Sequence, residues 1–314
     1  MEIFKNIDKL TPDFRGSYIT IGNFDGVHLS HQLICRKLAA EAAQAKAKSL
    51  VITFDPHPKM ILHPNIQPFY LITTLEEKLQ LLASCGVNGT LIIPFSQEYS
   101  KTTAEQFVYD FLGQKLAVKK IIVGHDYTFG QAKQGNSDYL ISAGRQLGFT
   151  VDVVDAFKVG EDIVSSTLIR NLILQGDMPA ATRLLGRFYN IKGIVVSGKG
   201  RGTGLGFPTA NLELEKVLVP PPGIYAAMVE VAGKRYLSAL NIGAKPTFAD
   251  YTFTVEAYLL DFTGNLRGKR VNTFFVEKLR DIIKFDSPES LKKQIAADVE
   301  KTRAILLKNM NKQK

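Results

Sequence analysis

The first half of the chain alternates between two hydrophobic periods. Short apolar, β-branched runs recur at 17–22 (SYITIG), 49–54 (SLVITF), 90–95 (TLIIPF), 120–124 (KIIVG) and 150–155 (TVDVVD). Their length and composition predict buried strands. Between them the spacing turns helical: in HQLICRKLAAEAAQAKAK, residues Ile34, Leu38 and Ala42 share one face. Thr74 with Glu77, and Thr102 with Glu105, have capping-box spacing and predict helix starts. Strands alternating with helices predict a parallel sheet joined by right-handed crossovers, with ligands expected beyond the carboxyl ends of its strands.

Near residue 187 the pattern changes. NIKGIVVSG, GIYAAMVEV, KRYLSALNIG, FTVEAYLLDF and KRVNTFFVEKLR read as strands, with turn residues at Ala232–Lys234 and Thr263–Asn265. Strands this closely spaced predict a small barrel or sandwich. A last helix is expected with Ser287 as cap, Pro288 in its first position and Leu291, Ile295 and Val299 as its apolar stripe. Residues 309–314 read as a frayed tail. There is no internal repeat, and the expected domains are 1–186 and 187–314.

Composition narrows the picture. A chain of 314 residues accommodates two domains of roughly 100–200 residues each. Its 45% hydrophobic and 22% charged content is ordinary for a globular protein. No apolar run reaches the ~18 residues of a membrane span, and MEIFKNIDKL lacks the basic-then-apolar order of a secretory signal. Cys35 and Cys85 alone make neither a disulfide framework nor a thiolate metal site, so a reducing cytoplasm is expected. The net charge of +9 suits an anionic ligand. The basic residues are scattered, however, and the short tracts GKGRG and LRGKR lack the basic stripe with interleaved aromatics of a nucleic-acid binder. Nucleotide is favoured over nucleic acid.

Two stretches carry candidate chemistry. The first is GNFDGVHLSHQ (22–32), directly after the first predicted strand and before the first long helix. His28 and His31 there admit three readings. They can be incidental to a helix cap. They can ligate zinc, which would need a third ligand, and the nearest candidates, His57 and His63, belong to a different connection. Or they can hold phosphate: a helix N-terminus offers free N–H groups and positive potential, two imidazoles add donors that can be cationic, and Gly22 and Gly26 let the backbone approach. Phosphate fits best. VSSTLIR (164–170) adds Ser165, Ser166 and Thr167 at a predicted helix start, with Arg170 one turn on.

The second stretch is SGKGRGTGLGFPTANL, with five glycines between 198 and 206. It is neither a Walker A loop nor a dinucleotide fingerprint. Lys199 and Arg201 bring charge to an accessible backbone. Thr209 and Asn211 stand at the i, i+2 spacing that points both to one side of a strand, a pair able to hold Mg²⁺ and orient phosphates.

GNFDGVHLSHQ resembles the G-x-F-D-G-x-H-x-G-H-Q motif of the bacterial bifunctional riboflavin kinase/FAD synthetases. TFDPHP (53–58), VGHDYTFG (123–130) and VSSTLIR resemble further stretches of that family in the same order. PTAN after the glycine-rich run, GIYAAM, NIGAKPTF, VEAYLLDF and KF (284–285) resemble its kinase half. The resemblance runs from about residue 10 to the end. It implies a Rossmann-like nucleotidylyltransferase domain followed by a six-stranded riboflavin kinase barrel with a C-terminal helix. In the first, Gly22, Phe24, Asp25, Gly26, His28, His31, Ser165, Ser166, Thr167 and Arg170 would serve ATP, and Asp55 and Asp126 the flavin. In the second, Gly198, Lys199, Gly200, Arg201, Gly206, Pro208, Thr209 and Asn211 would serve MgATP, with Thr209 and Asn211 on the metal. Glu256 would act as base toward the riboflavin hydroxyl, and the last helix would wall the flavin slot. The implied ligands are riboflavin, FMN, FAD, ATP, ADP and pyrophosphate.

The sequence departs from that pattern at several positions. Ser30 replaces the usual glycine and Leu168 a usual arginine, and His125 is atypical beside Asp126. Arg267 replaces a tyrosine, and Ile282 and Ile283 replace polar residues. Ser30 leads us to expect impaired, not absent, adenylyltransfer. Two other readings stay open at this point: a riboflavin kinase with a weakened or inactive first domain, and a flavin-responsive regulator acting on nucleic acid.

Overall fold

Five apolar runs of the first half become β2 (Tyr18–Ile21), β3 (Ser49–Asp55), β4 (Gly89–Pro94), β5 (Lys120–Gly124) and β8 (Thr150–Val154), each within a residue of its expected place. A strand that the pattern does not predict, β1 (Glu2–Phe4), joins them. All are parallel, in the order β1-β4-β3-β2-β5-β8. This computed structural model describes residues 1–65, 69–197, 206–246 and 251–311. Residues 1–166 and 167–314 form two compact units.

In the first unit, α1 (Leu29–Gln44) crosses from β2 to β3, and α2 (Pro58–Leu62) and α3 (Leu75–Ser84) lie between β3 and β4. Both sheet faces are covered. Leu50 and Ile52 join the core with Phe14, Phe107 and Leu140, while Val51 between them packs with Ile34, Cys35 and Leu38 of α1. That is why these strands read as unbroken apolar runs and not as alternation. The capping box at Thr74 forms as expected. The second one is displaced by a residue: Thr103 and Gln106 bond reciprocally at 3.0 and 3.1 Å, and a π-helix runs from Gln106 to Lys115. Adjacent threonines followed by adjacent Glu and Gln offer two registers, and the chain uses the later. Two short ribbons, β6 (Thr128–Phe129) with β7 (Gly135–Asn136) and β9 (Lys158–Val159) with β10 (Asp162–Ile163), flank α4 (Ser137–Leu147) and β8.

After β2 the chain builds β3 and β4 to one side, then β5 and β8 to the other. The order reverses between β2 and β5, and open parallel sheets bind ligands at the carboxyl end of such a reversal. GNFDGVHLSHQ occupies that position.

The second unit holds most of α5 (Ser166–Gln175), α6 (Met178–Leu185) and a closed antiparallel barrel, β11-β12-β15-β14-β13-β16. Its strands are β11 (Tyr189–Val196), β12 (Ala210–Leu214), β13 (Gly223–Val231), β14 (Lys234–Pro246), β15 (Tyr251–Leu259) and β16 (Arg270–Arg280). Tyr189, Tyr225 and Phe275 fill its interior, with ring centroids 5.6–6.0 Å apart. Their two hydroxyls donate to the carbonyls of Leu218 and Pro221, so burial orphans neither. A last helix, α7 (Pro288–Asn311), is capped by Ser287 Oγ, which accepts from Ser290 N at 3.1 Å. It takes in the first three residues, 309–311, of the stretch expected to fray. Leu306 of α7 packs on Ala226, Met228, Val276 and Leu279.

Candidate active sites

The turn after β2 is built from unusual backbone. Phe24, Gly26 and Val27 have φ of 50, 83 and 36°. The two non-glycine residues in this left-handed region store strain, which persists only where the surroundings impose it. Those surroundings are visible. The buried Asp25 carboxylate accepts from Ile72 N (3.0 Å) and Thr73 N (3.2 Å), and Gly26 N donates to Thr73 Oγ1 (3.0 Å). Asp25 is thus a clasp between the turn and residues 72–73. Phe24 is buried, with its ring edge-on to His31 at 5.0 Å.

The turn delivers His28 to the N-cap of α1. Its Nδ1 accepts from His31 N at 3.4 Å, leaving Nε2 as its N–H donor. The His31 ring stacks on that of His28 at 3.6 Å and 16°. Two imidazoles are therefore fixed side by side at the positive end of a 16-residue helix. Ser30 lies between them in ordinary helical backbone. Opposite, Ser166 Oγ donates to the Asp25 carbonyl at 2.8 Å, so Ser166 is tied to the same turn. Ser165 precedes it. Thr167 and Arg170 continue along α5 in residues that belong to the second unit. Asp55 ends β3, and Asp126 follows β5, both exposed.

Lys78 is a residue that the sequence reading missed. It is 7% exposed, and its ammonium donates to Asn23 O (3.2 Å), Thr53 Oγ1 (3.3 Å) and Phe54 O (3.3 Å). One cation thereby joins the turn after β2 to the end of β3. Burial pulls its pKa below the usual lysine value, and the charges of Asp25 and Asp55 oppose that shift. The signal was its spacing: Lys78 shares a helix face with Leu82 four residues on.

In the barrel, Gly198, Lys199, Gly200 and Arg201 lie outside the described residues. Gly206 and Pro208 lead to Thr209 and then to Asn211 on β12. Asn211 pairs directly with Glu256 on β15, and Glu256 with Asn241 on β14. Their strand neighbours Leu212, Val255, Ala257, Leu240 and Ile242 are buried inside, so the three polar residues form one row on the outer surface. Two cavities adjoin the row. One of about 260 Å³ is lined by Ser197, Pro208, Thr209, Asn265 and Arg267. The other, about 280 Å³, is lined by Thr209, Asn241, Glu256, Tyr258 and the helix residues Leu291 and Ile295. Thr209 belongs to both. Ile282 and Ile283 also line the second cavity, each 48% exposed. Arg280 and Asp298 also line it, joined by a two-pronged ion pair with a shortest contact of 2.7 Å.

Comparison with known proteins agrees with both halves. The FAD synthetase family model matches residues 10–168, and the riboflavin kinase family model matches 185–306. A bifunctional riboflavin kinase/FMN adenylyltransferase of Pseudomonas fluorescens is 37% identical over 97% of this chain and 98% of its own length. That of Escherichia coli K12 is 35% identical over 95% and 96%. A crystal structure described as a macrolide-efflux protein from Streptococcus pneumoniae superposes with a TM-score of 0.88 at 32% identity, covering 96% of this chain and 98% of that one. Its description concerns that protein; here the likeness carries the fold. Among the described residues no helix is long and apolar enough to cross a membrane. On its sequence, its two modules and their order, the chain belongs to the bifunctional riboflavin kinase/FMN adenylyltransferase family.

Proposed function

We propose that the chain makes FAD from riboflavin in two ATP-dependent steps in the cytoplasm, with phosphorylation carried by residues 187–314 and adenylyltransfer by residues 1–186. The observation that carries the kinase half is Thr209, which lines two cavities at once, with Glu256 beside it in the second. The larger, more apolar cavity takes riboflavin and the other takes ATP, so the γ-phosphorus lies near Thr209. Glu256 accepts the proton of the 5′-hydroxyl as its oxygen bonds to the γ-phosphorus and the bond to the departing ADP breaks. The Thr209 hydroxyl and Asn211 amide oxygen are hard donors untied to other side chains among the described residues, which fits Mg²⁺. A metal held there neutralises phosphate charge. Gly198, Lys199, Gly200 and Arg201 are assigned to ATP on sequence alone.

In the first module an FMN phosphate oxygen attacks the α-phosphorus of ATP and pyrophosphate leaves. His28 and His31, stacked at the N-terminus of α1, stabilise the charge that grows on the leaving group. Ser165 and Ser166 assist, and Thr167 and Arg170 are retained by motif. Asp55 and Asp126 are assigned to the flavin. Asp25 and Phe24 act by holding the turn.

The test supplies riboflavin, ATP and Mg²⁺ and resolves the flavins by chromatography over time. FMN should appear first and FAD after it. Glu256→Ala should abolish FMN formation while FMN supplied directly still becomes FAD. FMN as the sole product, even from added FMN, would remove the synthetase half of the proposal.

A further inference from the structure

The row on the outer surface of the barrel contains one residue with no assigned part. Asn241 lies directly opposite Glu256 on β15 and, on its other side, directly opposite Ile224 on β13. Asn211, the phosphate-side residue, flanks Glu256 from the opposite direction. Directly opposed residues on one face have Cβ atoms about 4.5–5.5 Å apart, so the Asn241 amide is a neighbour of the Glu256 carboxylate. Asn241, Glu256 and Ile224 all line the 280 Å³ cavity, and Asn211 does not.

The Asn241 amide oxygen is shielded from water and has no hydrogen-bond partner. A buried acceptor left unpaired is costly and uncommon, and a recurring reason is a ligand that completes it. An amide both accepts and donates, which matches a hydroxyl group. Its χ2 torsion is soft, so a small rotation turns the oxygen toward a group lying over the row. Beyond Asn241 the lining turns mostly apolar, with Ile224, Ile283 and Ile295, before the paired Arg280 and Asp298. Moving from Asn211 to Ile224, the surface therefore runs from phosphate-binding, through base, through a neutral hydrogen-bonding group, to apolar wall. That order matches an acceptor with a terminal alcohol, neighbouring secondary hydroxyls and a flat hydrophobic head.

We propose that Asn241 reads the polyol chain of the flavin: it hydrogen-bonds a secondary hydroxyl adjoining the reacting alcohol and makes the kinase select a polyhydroxylated acceptor over a plain alkyl alcohol. This rests on the kinase reading above. Asn241 is a specificity-determining group that touches the substrate and exchanges no proton with it.

The test uses the full chain and two acceptors, riboflavin and a flavin with an unbranched 5-hydroxypentyl chain, which keeps the terminal alcohol and lacks the secondary hydroxyls. In the wild-type protein kcat/KM should favour riboflavin by at least about tenfold, since a site built to bond a hydroxyl rejects the analogue lacking it. Asn241→Leu should reduce that preference to within about threefold of unity, through loss on riboflavin and little change on the analogue. The preference is a ratio measured on one preparation, so partial unfolding of the variant cancels from it. A preference unmoved by Asn241→Leu overturns the role of Asn241 alone. Phosphorylation of neither flavin by the wild-type protein overturns the kinase reading beneath it.

Discussion

Ser30 is where the family pattern and this chain differ within the phosphate turn, and its placement turns a sequence oddity into a measurable effect. It occupies the second position of α1, between the residue that caps the helix and His31, whose ring stacks on the cap. The backbone there is helical, so the serine introduces no conformational strain. What it adds is a Cβ and a hydroxyl beside the helix-start N–H groups proposed to hold the phosphates. Ser30→Gly should therefore speed FAD formation from FMN by about three- to tenfold, the effect of relieving one close contact in a transition state. FMN formation from riboflavin should not change. Glycine costs a helix up to roughly 1 kcal/mol relative to alanine, and less relative to serine, so melting should shift little. An unchanged or slower FAD rate in the variant would show that the serine restrains nothing.

At the scale of elements, Lys78 ties the turn after β2, which carries the proposed first site, to the end of β3. Replacing it with methionine removes the cost of burying a cation but leaves the Phe54 carbonyl without its ammonium, worth about 1–3 kcal/mol. The Asn23 carbonyl keeps the Thr53 hydroxyl at 3.2 Å. Lys78→Met should thus destabilise the chain by little and slow FMN-to-FAD conversion by about 10–100-fold, because a small displacement of a positioning turn is amplified in rate. FMN formation should continue at the wild-type rate; equal loss of both activities would mean general unfolding. Lys78 also marks the limit of what the sequence disclosed. The five long strands of the sheet and five of the six barrel strands were legible because burial on both faces, or alternation, leaves a period. β12 carried no such run and entered only through the Thr209–Asn211 spacing and the family resemblance. β1 was not legible, since three residues with only Phe4 buried make no period. Lys78 and Asn241 were hidden by residue type: lysine reads as solvent-facing, and an asparagine within KRYLSALNIG reads as an outer strand position. The capping box at 103–106 shows the complementary error, a correct motif in the wrong one of two registers.

For the molecule as a whole, the two candidate sites draw on different residues, and the intermediate FMN is both product of one and substrate of the other. Two defective chains should therefore complement each other in one tube. Glu256→Ala removes the proposed base of the kinase site. Gly26→Ala disables the other: Gly26 has φ of 83°, and a Cβ there would stand 3.1 Å from Ile72 Cδ1, a buried side chain in the clasp. Forcing a non-glycine residue into that conformation costs about 1–3 kcal/mol, concentrated in the turn that carries His28. Alone, Gly26→Ala should stop at FMN and Glu256→Ala should leave riboflavin unconverted. Mixed, they should produce FAD from riboflavin after a lag in which free FMN builds up. The lag should shorten as the Glu256→Ala concentration is raised, since that chain consumes the free FMN. If the mixture made no FAD while FMN accumulated and Glu256→Ala still adenylylated added FMN at that concentration, free diffusion of the intermediate would be excluded. If Glu256→Ala failed on added FMN as well, the two sites would not be independent, and the assignment of adenylyltransfer to residues 1–186 and phosphorylation to residues 187–314 would fall with them.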